Sequence, residues 1–228
     1  MRKIIQKNGL ILGGFALVTT SVIALTFSFT HERIEQAKEL QLLSTLNQVI
    51  DKSMHDNQLH LDCIIVAPNE LLGSKPQRVF RARLKGNNTA LIIEATAPDG
   101  YSGAINLVVA LDTNQTVLGA RVVEHKETPG LGDKVELRIS DWILDFDNVK
   151  YNEETMQRWQ VKKDGGQFDQ FTGATITPRS VVKAIKNAAI YGQANMQQLF
   201  STTSNCKQAS PTQDNLLKPS SVEETSSE

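Results

Sequence analysis

The stretch RVFRARLKGNNTALIIEA, residues 78–95, decides the fold class because it predicts a β-hairpin. Side chains of residues 78–84 alternate in character, so that Phe80, Ala82 and Leu84 share one face of a strand. Residues 86–88 supply Gly and Asn for a turn, and residues 90–95 return as the partner strand.

A second hairpin follows the first along the chain. Residues 105–111 and 117–124 read as strands around a polar turn at residues 112–115. Shorter strand-like stretches occur at residues 63–66 and 159–161. Together these segments indicate an antiparallel sheet.

Two helices are predicted beside the sheet. One begins at Asp133, with Glu136 in capping-box spacing, and its apolar stripe comprises Val135, Ile139, Trp142, Ile143 and Phe146. The other begins at Thr177, as N-cap, with Pro178 at the first helical position, and runs to about residue 200. The fold class is therefore α+β, with antiparallel hairpins and flanking helices in one domain.

An apolar segment precedes this domain. Residues 8–30 carry no charge and are long enough to cross a bilayer as a helix. Arg2, Lys3 and Lys7 precede the segment, so the N-terminus is predicted to be cytoplasmic and the rest exported. A cleaved signal peptide is the alternative, but the run exceeds the usual apolar core of roughly 7–15 residues and no A-x-A-like site follows.

Four regions result from these patterns. Residues 1–30 are a cytoplasmic leader and transmembrane anchor, and residues 31–55 are a stalk helix, since apolar residues recur there at helical spacing. Residues 56–200 form the domain. Residues 201–228, rich in Ser, Thr, Gln and Glu, are predicted to be a disordered tail.

Composition excludes several classes of protein. The 24 basic and 25 acidic residues give a net charge of −1 without a long basic run, so nothing points to nucleic acid. The two cysteines, Cys63 and Cys206, lie too far apart for haem c or iron–sulfur motifs. In an oxidising compartment they pair as a disulfide or remain separate thiols. The four histidines show no metal-ligand spacing, and no catalytic Ser-His-Asp or Cys-His set is predicted.

The chemically informative stretch is DGGQFDQFTGATITP, residues 164–178. It is a loop of small residues that leads into a helix N-terminus, where free backbone N–H groups and the helix dipole favour an anion such as phosphate. Thr172 and Thr175 carry hydroxyl groups that can face such an anion, and Thr177 is the predicted N-cap of the helix. Local chemistry alone leaves two interpretations: an anion site beside Thr175, or a capped helix after a flexible loop.

A resemblance adds to this interpretation. Residues 169–175, DQFTGAT, match the motif D-x-x-(S/T)-G-A-T of FMN-binding domains, in which the last threonine is esterified to the FMN phosphate. With YSGAI at residues 101–105, ETPGLG at residues 127–132 and the single anchor, residues 1–200 resemble the G-subunit family of Rnf (Rsx) electron transport complexes. The C subunit of sodium-pumping NADH:quinone reductases is a more distant relative.

The resemblance implies specific roles for residues. FMN would be bonded to Thr175 by a phosphodiester, attached by a flavin transferase that uses FAD and a divalent metal and recognises Asp169. Glu127 would either bind the flavin or brace its loop, and Tyr101 would either border the ring or be a partly buried strand residue. The further cofactor-binding residues expected from the resemblance are Thr172, Gly173, Ala174, Thr177 and Thr128.

The implied function is electron transfer. The chain would relay electrons as one subunit of an ion-translocating oxidoreductase of the ferredoxin/NAD type, in the bacterial inner membrane, with its FMN domain in the periplasm and the other subunits as partners. It would not be an autonomous enzyme, and it has no G-x-G-x-x-G after a strand to bind NAD. The alternatives are a subunit of a quinone-reducing complex and a non-redox periplasmic assembly module.

Overall fold

A computed structural model describes residues 2–152 and 154–206 of the chain. Helix α1, Arg2–Val49, is continuous and ends before the predicted limit of the stalk at residue 55. A 3₁₀ turn, Lys52–Met54, follows and is capped by Asp51, whose side chain accepts from the Ser53 N–H at 2.7 Å. Within the described residues, Ile5–His31 is the segment long and apolar enough to span a membrane, with a mean hydropathy of 2.1. The chain divides after residue 48 into this helical unit and a compact domain.

The domain is built on one antiparallel sheet of six strands, as far as the described residues extend. Each strand pairs with its neighbour in sequence, so the sheet is a simple meander. The α+β class predicted from the alternating segments is confirmed. The strands are β1 Cys63–Val66, β2 Gln77–Leu84, β3 Asn87–Ala97, β4 Ile105–Asp112, β5 Thr116–Glu124 and β6 Val149–Lys150.

The turn of the first hairpin lies slightly earlier than predicted. Lys85 and Gly86 have φ angles of 52° and 81°, and β3 already begins at Asn87. Two successive positive φ angles match the twist of adjacent strands, which is why two-residue hairpin turns favour them.

Helix α2, Ile176–Ser201, packs on the sheet through one apolar face. Gly192 lies close to the strands, since a Cβ atom at this position would be 2.6 Å from Cδ1 of Ile93 and 2.9 Å from Cδ2 of Leu111. The absence of a side chain permits the close approach. The buried face includes Val181, Val182, Ile185, Ala188 and Ala189.

The prediction of an α-helix that begins at Asp133 is wrong. The segment forms two 3₁₀ turns, Asp133–Val135 and Asp141–Phe146, because Glu136 is extended (ψ 133°) and interrupts the first turn. The Ser140 side chain then caps the second turn by accepting from the Trp142 N–H at 3.2 Å. The predicted stripe is buried except for Ile139, which is 48% exposed.

The prediction of a strand at residues 159–161 is also wrong. Val161 forms an isolated bridge with Phe168, and Trp159 is buried in an aromatic cluster. In that cluster Phe146 stacks on Phe168 with ring centroids 4.2 Å apart. Aromatic packing therefore fixes the loop that leads to α2, although the loop has little regular structure. The remaining members are Trp142, Tyr151 and Phe171.

Part of the predicted disordered tail is ordered. Cys63 and Cys206 form a disulfide in the structure, with Cα atoms 5.6 Å apart. Asn205 donates its N–H to the Cys63 carbonyl at 3.3 Å, and its side chain accepts from the Ile65 N–H at 2.6 Å. Residues 204–206 therefore follow the edge of β1. Residues 207–228, the rest of the predicted tail, lie outside the described residues.

The C-terminal end of α2 is held by arginines of β2. Arg81 donates to the Leu199 carbonyl at 3.3 Å, and Arg83 donates to the Phe200 carbonyl at 3.1 Å. Asp62 accepts from both guanidinium groups, at 2.6 Å and 2.8 Å. Cations at this end complement the negative pole of the helix dipole.

Candidate functional site

Thr175 is the N-cap residue of α2, in helical conformation (φ −82°, ψ −21°), and its side chain makes no capping hydrogen bond. The prediction that Thr177 caps the helix is wrong, because Thr177 lies within the first turn and is fully buried. Pro178 is tolerated there because an amide of the first helical turn needs no intrahelical acceptor. Thr175 is thus a partly exposed residue at a helix start, and its hydroxyl is not engaged as a cap.

A tight turn presents this threonine. Gly173 has a φ of 83°, in the left-handed region that favours glycine. The Ala174 N–H donates to the Phe171 carbonyl at 3.2 Å, and the buried Phe171 ring anchors the turn. Thr172 and Gly173 are exposed on the outside of the turn.

The preceding loop is fixed by polar contacts as well as by aromatic packing. The Trp142 indole donates to the Asp169 carbonyl at 2.8 Å. The Asp169 carboxylate is exposed and pairs with Lys162 at 2.6 Å. The Arg179 guanidinium binds Asp164 and holds the pKa of that carboxyl below its usual value. The Asp169 side chain is accessible to another molecule.

A buried carboxylate joins three segments at the site. Oε2 of Glu127 accepts from the Thr177 hydroxyl at 2.5 Å, and Oε1 accepts from the Ser102 N–H at 2.9 Å. A Cβ atom at Gly132 would lie 2.7 Å from the same Oε2. We call Glu127 and these partners, Ser102, Thr177 and Gly132, the loop clamp.

The backbone of Glu127 is held in turn by His125. The Glu127 N–H donates to Nδ1 of His125 at 3.0 Å, so the ring proton belongs on Nε2, which lies 2.7 Å from Oε1 of Glu136. Arg138 also donates to Glu136. The hydrogen bond from Arg138, with a smaller effect of His125, holds the pKa of Glu136 below its ordinary value of 4.5.

Three exposed segments adjoin the loop clamp: residues 101–104, which include its Ser102, residues 128–131, and residues 172–176, of which Ala174 and Thr175 are only partly exposed. We call them the site rim. Tyr101 is 70% exposed in the turn before β4, so the alternative of a partly buried strand residue is wrong. Leu131 and Ile176 are 44% and 46% exposed. A Cβ atom at Gly173 would lie 3.7 Å from Leu131, which brings two segments of the rim together.

The structure thus separates the predicted site residues into two groups. Tyr101, Thr128, Thr172 and Thr175 have surfaces available to a ligand, as do Gly173 and Ala174. Glu127 and Thr177 are buried and bind each other. Neither Ser102 nor Gly132 is predicted from the sequence as a partner of Glu127. The only local signal was the glycine content of the two loops.

Comparison with known proteins identifies the family. The family model of the FMN-binding domain matches residues 100–190, and that of the RnfG N-terminal region matches residues 1–49. The chain is 52% identical over 208 residues to the G subunit of the ion-translocating oxidoreductase complex of Pseudoalteromonas atlantica, covering 91% of this chain and 97% of the relative.

Other relatives carry the same name. The G subunit from Vibrio cholerae serotype O1 is 50% identical over 203 residues, which covers 89% of this chain and 97% of the relative. That of Shewanella piezotolerans is 44% identical over 208 residues, covering 91% and 98%. The chain therefore belongs to the G-subunit family of ion-translocating oxidoreductase complexes and contains its FMN-binding domain.

Proposed function

We propose that this chain is the subunit of a membrane-bound ion-translocating oxidoreductase that carries FMN esterified to Thr175 and relays electrons through it. The observation that carries the proposal is the position of Thr175. The residue is partly exposed, its hydroxyl is not engaged as a cap, and it lies at the N-terminus of a 26-residue helix, inside the region that matches the FMN-binding domain.

The residues around Thr175 fit a phosphate ester. The first turn of a helix offers backbone N–H groups without intrahelical acceptors, together with the positive pole of the dipole. A phosphodiester retains one negative charge, which this position would stabilise by about 0.3–1 kcal/mol. Gly173 and Ala174 leave the approach to Thr175 open, because neither has a bulky side chain.

Attachment requires a second protein in this proposal. A flavin transferase that uses FAD and a divalent metal would form a bond between Oγ1 of Thr175 and the phosphorus of the FMN half. The pyrophosphate bond of FAD breaks, AMP leaves, and the threonine hydroxyl loses its proton. Asp169, exposed beside the turn, would be read by the transferase, and its partner Lys162 is also exposed.

The site rim is the part of the protein that would surround the flavin. The isoalloxazine ring of bound FMN supplies the redox chemistry, and the protein supplies binding, orientation and electrostatics. Tyr101, Thr128 and Leu131 present exposed side chains for this purpose. A covalent tether keeps the cofactor on an exposed site from which a free flavin would be lost by diffusion.

Topology completes the proposal. The apolar segment Ile5–His31 would anchor the chain, and the basic residues before it favour a cytoplasmic N-terminus and a periplasmic FMN domain. Within the assembled complex the chain would pass electrons between ferredoxin- and NAD-linked subunits, coupled to ion movement. Identification of the membrane subunits that co-purify with it separates this assignment from a quinone-reducing complex.

The attachment is tested by co-expression with a flavin transferase. After denaturation, the wild-type band is expected to fluoresce, and peptide mass mapping is expected to locate the flavin on Thr175. Thr175→Ala is expected to lose the label, whereas Thr128→Ala, a matched threonine on the site rim, is expected to keep it. An unlabelled wild type, or a labelled Thr175→Ala variant, would show that the proposed ester does not exist.

A further inference from the structure

We infer that Glu127 is a positioning residue: its carboxylate fixes the site rim around the flavin without binding the flavin itself. The inference rests on the proposed function, because it concerns the environment of the FMN on Thr175. Resemblance left open whether Glu127 binds the ring or braces the loop, and the contacts of its side chain support bracing.

Both carboxylate oxygens already have protein partners. Oε2 accepts from Thr177 and Oε1 accepts from Ser102, at 2.5 Å and 2.9 Å, and Glu127 is only 5% exposed. A buried carboxylate is costly unless hydrogen bonds compensate its desolvation. The donors that compensate it come from a turn before β4 and from the first turn of α2, so the charge binds these two elements together.

Close packing leaves the carboxylate little freedom. A Cβ atom at Gly132 would lie 2.7 Å from Oε2, and one at Gly100 would lie 3.0 Å from Oε1. The hydrogen bond from the Glu127 N–H to His125 fixes the backbone at the same point. The side chain is therefore held from both ends and cannot turn toward the surface without losing its partners.

The site rim depends on these contacts. Residues 101–104 contain Ser102, which binds the carboxylate, and residues 172–176 directly precede Thr177, which also binds it. Residues 128–131 connect Glu127 to Gly132, which packs against the carboxylate. Loss of the carboxylate would let the three segments move independently. The expected result is a flavin more accessible to solvent and altered in potential, while attachment at Thr175 continues.

The test compares Glu127→Ala with Glu127→Gln in the full-length chain. In the protein without flavin, amide exchange of Ser102 is expected to rise about tenfold in Glu127→Ala, because the N–H loses a charged acceptor. In the flavin-loaded protein, iodide is expected to quench the fluorescence of Glu127→Ala more strongly, with a shifted midpoint potential and unchanged label stoichiometry. Glu127→Gln is expected to show the Ser102 exchange and the iodide quenching of the wild type, because the glutamine amide can accept from the Ser102 N–H and donate to the Thr177 hydroxyl.

A matched control addresses general destabilisation. Asp62→Asn weakens the contacts at the other end of α2, where Arg81 binds the Leu199 carbonyl. It is expected to leave Ser102 exchange and iodide quenching at wild-type values. Should Glu127→Ala fail to fold, Thr177→Val removes one hydrogen bond of the loop clamp, with Thr177→Ser as its conservative partner.

The outcomes separate the inference from the proposed function. Wild-type exchange and quenching in Glu127→Ala, or a Glu127→Gln variant as perturbed as the alanine variant, would overturn the positioning role. If Asp62→Asn raised Ser102 exchange and iodide quenching as Glu127→Ala does, the positioning role would also be overturned. An unlabelled wild type refutes the proposed ester instead, and Ser102 exchange in the unlabelled protein still decides the role of Glu127.

Discussion

The Thr177 hydroxyl donates to Oε2 of Glu127 across 2.5 Å, although 50 residues separate the two in the sequence. Thr177 is wholly buried and Glu127 nearly so, and the contact joins the loop after β5 to the first turn of α2. The presentation of Thr175 therefore depends on residues far from its own motif.

Gly132→Ala is expected to destabilise the domain by about 1–3 kcal/mol through overpacking. The φ of Gly132 is −86°, which alanine adopts without strain, so the cost comes from the new methyl group against Glu127 and Thr177. Chemical denaturation measures the change. Thr128→Ala, in the same exposed loop, is the control and is expected to stay within about 0.5 kcal/mol of wild type. Equal stability of both variants would contradict the packing at Gly132.

Gly192→Ala is expected to lower the free energy of unfolding even though alanine is the better helix former. The propensity gain is about 1 kcal/mol, and overpacking against Ile93 and Leu111 costs about 1–3 kcal/mol. Ala194→Gly, at an exposed position of the same helix, calibrates the propensity term. A stabilised Gly192→Ala variant would mean that α2 lies farther from the sheet than described.

Replacement of Cys63 and Cys206 by alanine is expected to destabilise the domain by about 2–5 kcal/mol, because the bridge closes a loop spanning 143 residues. Denaturation of the oxidised protein with and without a reductant provides an independent measurement. If the reductant leaves the transition midpoint unchanged, the disulfide does not form or does not stabilise the fold.

Acid is expected to remove a contribution of Glu136 to stability. The pKa of Glu136 is lowered in the folded state, mainly by Arg138, so its contribution is present above the unfolded pKa near 4.5 and is lost as the pH falls through the lower folded value. The stability difference between wild type and Glu136→Gln should shrink below pH 4.5.

NMR titration of the Glu136 carboxyl measures its pKa directly. Arg138→Gln removes the main cause and is expected to raise this pKa toward 4.5. An unchanged value in Arg138→Gln would show that the Arg138 contact does not form in solution.

Sequence periodicity predicted the elements whose signals are local. Both hairpins and α2 form because alternating or helical patterns persist over whole elements. The pattern failed between residues 133 and 146, where an apolar stripe of helical spacing became two 3₁₀ turns. Ser140 interrupts that stripe, since its side chain caps a new turn instead of continuing a helix.

The site was predictable only in part. The motif identified Thr175, and its small residues predicted an open approach to a helix start. The Thr177-Pro178 pair predicted Thr177 as the helix cap, whereas Thr177 is buried against Glu127, and a contact over 50 residues leaves no local signature. The order of residues 204–206 was not predictable for the same reason, because it depends on contacts with the distant strand β1.

Helix α2 also makes the domain suitable for distance measurements. Its 26 residues span about 39 Å, with Thr175 directly before the first residue and Ser201 as the last. A flavin on Thr175 and an acceptor dye at position 201 would form a donor–acceptor pair held at a nearly constant separation by a single rigid element. Energy transfer within this pair would calibrate transfer from the same flavin to labels on other subunits, so that movements of the domain during turnover could be followed in ångströms.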